Sequence, residues 1–184
     1  GRVGQAFGEI LARVKPDLVH VHHWIRLTRD LVHRAACAGV PSLVTLHDLW
    51  TSCLITFRVR PESGEFCEAT LAPHPCLDCA NQFPPRTPFV ERENLYLAFA
   101  ERKADLLREL QRARAVLVPS HAHADAARRF LGLADDALAV RVVPHGRELS
   151  LARRTQPPVD GRLVIGSWSH LHPLKGPDLL LRAV

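Results

Sequence analysis

Two stretches decide the fold: Pro16-Asp17-Leu18-Val19-His20-Val21-His22 and Ser42-Leu43-Val44-Thr45-Leu46-His47-Asp48. Each is a short apolar, largely β-branched run of strand length that stops abruptly at polar residues. A helical pattern from about Leu27 to Ala38 lies between them and is stopped by Gly39, which suits the left-handed position after a helix end. Before the first run, Val3, Phe7, Ile10, Leu11 and Val14 recur on one face of a helix over residues 2–14, ended by Pro16-Asp17. Strands that alternate with helices at this spacing are the signature of a parallel sheet with crossover helices.

The alternation resumes downstream. Val90 to about Ala113 forms a long charged amphipathic helix, and Ala115-Val116-Leu117-Val118 is a strand ending at Pro119-Ser120. Ala122–Leu131 is helical, and Val140–Val143 is a strand ending at Pro144-His145-Gly146. Between the two halves, the expected loop 48–88 holds Pro61, Pro73, Pro75, Pro84, Pro85 and Pro88 with Cys53, Cys67, Cys76 and Cys79. A loop of that length within a compact domain needs its own source of order. The expected class is α/β, a parallel sheet flanked by helices and interrupted by a long cysteine-containing insertion.

Residues 147–160 are polar and contain prolines, as an interdomain linker would. Leu163-Val164-Ile165-Gly166 opens a new strand, with a turn at His170–Lys175 and a helix from Gly176. The expected domains are therefore 1–146, a linker at 147–160, and the first βα unit of a second, truncated domain at 161–184. The chain lacks Met and opens within a helical pattern, so it is read as a fragment.

Composition narrows the classes. At 184 residues, 47% hydrophobic and 23% charged, the chain can bury a core and is not a disordered tail. It has no apolar run near the roughly 18 residues of a membrane span. The net charge of +5 suits an anionic partner. The arginines are scattered without a stripe or interleaved aromatics, which speaks against nucleic acid.

In open parallel sheets, ligands bind beyond the carboxyl ends of the strands. Those ends carry His20-Val21-His22-His23, His47-Asp48, Pro119-Ser120 and Pro144-His145-Gly146. Any one of these histidines alone reads as an ordinary loop residue. Their recurrence along one edge marks His22, His47, Asp48, Ser120, His145 and Gly146 as candidate site residues.

These motifs, followed by Leu174-Lys175-Gly176, occur in the order seen in retaining glycosyltransferases of family four, which the chain resembles. The resemblance implies the GT-B architecture, with two Rossmann-like domains, the first serving the acceptor and the second the nucleotide-sugar donor. His47 matches the family histidine that closes a strand and faces the donor sugar, a catalytic positioning role. Lys175, beside Gly176 and a helix start, matches the lysine that pairs with the donor diphosphate. His170 stands where many relatives carry Arg, which makes that contact weaker or pH-dependent. The implied activity is retaining transfer of a hexosyl group from a nucleotide sugar to a glycan or lipid-linked acceptor, with the fragment alone inactive. The implied setting is the cytoplasm, with possible peripheral contact at an anionic membrane.

Cys53, Cys67, Cys76 and Cys79 are separated by thirteen, eight and two residues. Cys76-Leu-Asp-Cys79 has the knuckle spacing of a thiolate metal site, so the expectation is a structural zinc held by all four, with an iron–sulfur cluster as the other option. Cys37 is expected to be a small core residue. A different class of protein also follows from these features, a non-catalytic zinc-stabilised binding module on the same fold.

Overall fold

In the computed structural model of the chain, residues 1–80, 89–131, 138–146, 165–168 and 175–184 are described. They fall into two units, Gly1–Gly146 and Arg147–Val184. The first contains α1 (Arg2–Val14), β1 (Val19–Val21), α2 (Leu31–Cys37), β2 (Ser42–Thr45), α3 (Pro73–Cys79), α4 (Phe89–Arg112), β3 (Ala115–Val118), α5 (His121–Leu131) and β4 (Val140–Val142). The second contains α6 (Pro177–Ala183).

The four strands form one parallel sheet in the order β1-β2-β3-β4, as the alternation of strands and helices requires. Val21 is level with Val44, Thr45 with Leu117, and Val118 with Val142. That register aligns the carboxyl ends, so His22, His47, Ser120 and His145 all follow strands that finish along one edge. Val21, Val44, Val116 and Val118 are buried in the sheet, covered by Val32 and Ala35 of α2, Leu106 and Leu110 of α4, and Ala124, Ala127 and Leu131 of α5. The result is a Rossmann-like α/β domain.

Helix α2 begins four residues later than its pattern suggests. Its N-cap residue, Asp30, makes no side-chain capping bond. The first-turn amides are instead taken by Glu109 of α4, 2% exposed. Its Oε2 accepts from Val32 N–H at 2.7 Å and Trp24 Nε1–H at 3.2 Å, and its Oε1 from His33 N–H at 2.9 Å. A buried carboxylate thus satisfies donors that a helix start leaves orphaned and sits at the positive end of the helix dipole. At its other end α2 closes as expected: Gly39 adopts φ +73° and Val40 N–H returns to Ala35 C=O at 2.9 Å. Cys37 is exposed, which corrects the core assignment. The buried face of α2 is Leu31, Val32 and Ala35, and Cys37 lies two residues beyond it, where the helix has turned outward.

The insertion after β2 is not a bare loop. It contains α3, whose first residue is a proline at a position where the missing N–H costs nothing. It also contains an antiparallel bridge between Val59 and Phe66. Its order comes largely from Arg58, 1% exposed. The guanidinium donates to the carbonyls of Ser52 at 2.8 Å, Cys67 at 3.0 Å and Ala69, and it lies 3.4 Å over the Phe130 ring of α5. Arg102 of α4 holds the other side: it donates to the Trp50 carbonyl and stacks on the Trp50 ring at 4.1 Å. Burial, reinforced by Arg29, lowers its pKa to about 10. Arg58→Ala should therefore take the guanidinium away from three carbonyls, one of them in a buried bond, and loosen this segment while the sheet persists. Limited proteolysis checks this: new cleavage confined to residues 48–80 is expected, and an unchanged digest would remove Arg58 from that role.

Candidate active site

The site is built on strand ends. A parallel strand whose two faces are covered must end where its side chains become polar, so the residues just past β1, β2 and β4 emerge at the sheet edge. His22 Nδ1 and His47 Nε2 lie 2.8 Å apart and share one proton, with rings stacked at 17° and 5.1 Å. The His145 ring also stacks with His47, at 12° and 5.5 Å. His20 lies 4.0 Å from His22, and its Nε2 is 2.8 Å from Thr45 Oγ1. The four imidazoles form a continuous row across the ends of β1, β2 and β4.

Asp48 anchors the end of the row. Its Oδ1 accepts from Trp50 N–H at 2.8 Å, a turn that fixes the start of the insertion. Its Oδ2 is 3.5 Å from His23 Nε2, and its backbone carbonyl accepts from His123 Nε2 at 3.0 Å. The Trp50 ring packs against His23 and Trp24.

Burial lowers the pKa of His20, and the charges of His22 and His47 lower it further. Burial also lowers His47, helped by His22 and His145 and opposed by Asp48. His123 is lowered by burial against the pull of Asp48. The cause is physical: several imidazoles in a row cannot all carry charge. Burial therefore favours the neutral form of His20, His47 and His123, and a neutral imidazole can donate to and accept from hydroxyl groups and phosphate oxygens.

Of the residues expected from the sequence, His22, His47, Asp48 and His145 are brought together. Ser120 is at the same edge, where its Oγ accepts from His123 N–H at 3.2 Å at the start of α5. Gly146 is exposed at the end of the first unit. In the second unit, Lys175 is exposed and Gly176 takes φ +66° as the N-cap of α6. His170, the linker 147–160 and the start of the strand at 163–166 lie outside the described residues. Ile165 and Gly166 are described and are not in a strand. His20, His23 and His123 are site members beyond those expected. His123 could have been suspected from its place three residues after Ser120, on the first turn of the next helix.

The metal expectation finds no support among the described residues. Cys53, Cys67, Cys76 and Cys79 are all free and line one cavity of about 420 Å³ with Arg58 and Arg60. Burial raises the Cys79 thiol pKa, and the other three thiols raise it further. A tetrahedral zinc site needs thiolates roughly 3.8 Å apart around bonds of about 2.3 Å. Among the described residues, no group of three or more His, Cys, Asp or Glu side chains is placed to hold an ion. Cys76 and Cys79 ride one turn of α3 rather than a knuckle loop. Neither structural zinc nor an iron–sulfur cluster has support, and the zinc-stabilised module loses the feature that defined it.

Among the described residues, no helix is long and apolar enough to cross a membrane. No curated protein matches the chain. Residues 2–151, which carry the whole sheet and every histidine of its edge, match the family described as Glycosyltransferase Family 4. The chain belongs to that family, and the histidine row is the strand-end edge of a glycosyltransferase domain.

Proposed function

We propose that the protein transfers a hexosyl group from a nucleotide-sugar donor to a hydroxyl of a glycan or lipid-linked acceptor, with retention at the anomeric carbon. The observation that carries this reading is the histidine row at the carboxyl edge of a parallel sheet, in a chain of this family. In the reaction the bond from the anomeric carbon to the diphosphate breaks and a bond to the acceptor oxygen forms on the same face. The nucleoside diphosphate leaves, and the acceptor hydroxyl gives up its proton.

Within this reading, the His47 imidazole hydrogen-bonds a sugar hydroxyl or phosphate oxygen, an interaction worth most where charge develops. His22, Asp48, Ser120, His145 and Gly146 border the same edge. In the second unit, Lys175 contacts the diphosphate, supported by its exposure and by the helix start at Gly176, and His170 adds a titratable partner. The cytoplasm is the proposed compartment, supported by five unpaired cysteines, and the charge of +5 favours contact with an anionic membrane surface.

Protein from the complete reading frame, incubated with a panel of labelled nucleotide hexoses and acceptor lipids or glycans, tests the reaction. Transfer with an unchanged anomeric configuration by NMR is expected, and inversion would overturn the retaining assignment. Lys175→Ala should weaken nucleotide-sugar binding about tenfold by calorimetry, the loss of one charge-assisted contact, without a shift in melting temperature. Equal affinity in the variant would free Lys175 from that role.

A further inference from the structure

We propose that His22 is a positioning residue: its hydrogen bond to His47 holds that ring in one orientation and one tautomer, leaving His47 Nδ1 as the nitrogen that meets the ligand. The structural half stands on geometry alone, and its effect on transfer rests on the glycosyltransferase reading.

His47 is exposed, so packing does not fix its ring. What does is the 2.8 Å contact between His22 Nδ1 and His47 Nε2, made by rings only 17° from parallel. The parallel register, with Val21 level with Val44, keeps the residues after β1 and β2 beside one another. His145 stacks with His47, which limits tilt but leaves the choice of ring nitrogen to the hydrogen bond. His20 packs on His22 and bonds to Thr45, bracing the His22 ring. With Nε2 occupied, Nδ1 remains for a hydroxyl or phosphate oxygen. The ring nitrogen that meets a ligand is set by the bond that the other one makes.

The pair has a distinctive response to protons. In the neutral pair one N–H points at one lone pair. A first proton gives an imidazolium–imidazole pair and keeps the bond. A second places N–H against N–H and breaks it. Burial, His22, His145 and His23 disfavour charge on His47, whereas Asp48 favours it. Positioning should therefore hold at neutral pH and fail on acidification.

Histidine-selective ¹⁵N NMR on the 184-residue chain tests the structural half. In the wild type, His47 should show a single tautomer, and in His22→Ala a mixture, with its pKa raised because the His22 charge is gone. Asn at position 22 can place an amide near the lost Nδ1, so His22→Asn should restore the single tautomer. In the complete enzyme, His22→Ala should lower kcat about tenfold with KM little changed, and His22→Asn should recover most of it. An unchanged His47 tautomer and pKa in His22→Ala would overturn the proposal, as would equal loss in both variants. NMR changes as expected in a protein that transfers no sugar would uphold the positioning and sink the glycosyltransferase reading instead.

Discussion

Glu109→Ala should destabilise the domain by about 3–5 kcal/mol, the largest effect expected of any single side chain here. The carboxylate is 2% exposed and accepts three hydrogen bonds, from Val32 N–H, His33 N–H and Trp24 Nε1–H. Alanine would leave those donors facing a small void, and the start of α2 would have no substitute cap. Helix α2 packs on β1 and β2, the strands that carry His22 and His47, so the damage would reach the site edge as well as the fold. Glu109→Gln should cost less, because one amide oxygen can still accept while its NH₂ group faces a donor. Urea unfolding with a shared m-value measures both. A loss below about 1 kcal/mol for the alanine variant would mean that water reaches α2 and the cap is dispensable.

Glu109 shows where the sequence stops being legible. In the long helix it lies between Leu106 and Leu110, and a carboxylate at that spacing on an apolar stripe is a visible sign of a buried partner. The partner itself, the amides of a helix more than seventy residues away, is not visible. Strands could be read because their apolar runs end sharply at polar residues. The histidine edge could be read because parallel strands bring their carboxyl ends together whatever the details.

Part of the insertion is helical where the sequence suggests a loop: Pro73 and Pro75 lie in the first turn of α3, and proline there is a start signal. The spacing of Cys76 and Cys79 along the chain says nothing about where Cys53 and Cys67 approach. Order in that segment comes instead from a buried arginine bonded to three carbonyls, and an arginine among prolines and cysteines carries no such label in the sequence. Cys37 failed for a simpler reason: the apolar face of a seven-residue helix is narrow, and two positions past Ala35 is enough to leave it.

His47→Ala should separate catalysis from stability. The side chain is exposed and its hydrogen bond to His22 is solvent-accessible, so the melting temperature at pH 7.5 should move by no more than about a degree. Turnover should fall about 100-fold, the scale for losing one preorganised hydrogen-bonding group at a reacting centre. Acid stability supplies an independent check, with a definite sign. In the folded chain the His47 pKa lies below its ordinary value of 6.5, through burial and the neighbouring His22 and His145. As pH falls through about 6.5 the unfolded chain takes up that proton first, so the wild type loses stability until folded His47 is itself protonated. Alanine removes the group and with it this loss. The variant should therefore match the wild type at pH 7.5 and outlast it between pH 6 and 5. A variant that unfolds more readily at both pH values, with turnover preserved, would show that His47 props up the sheet edge rather than serving the sugar.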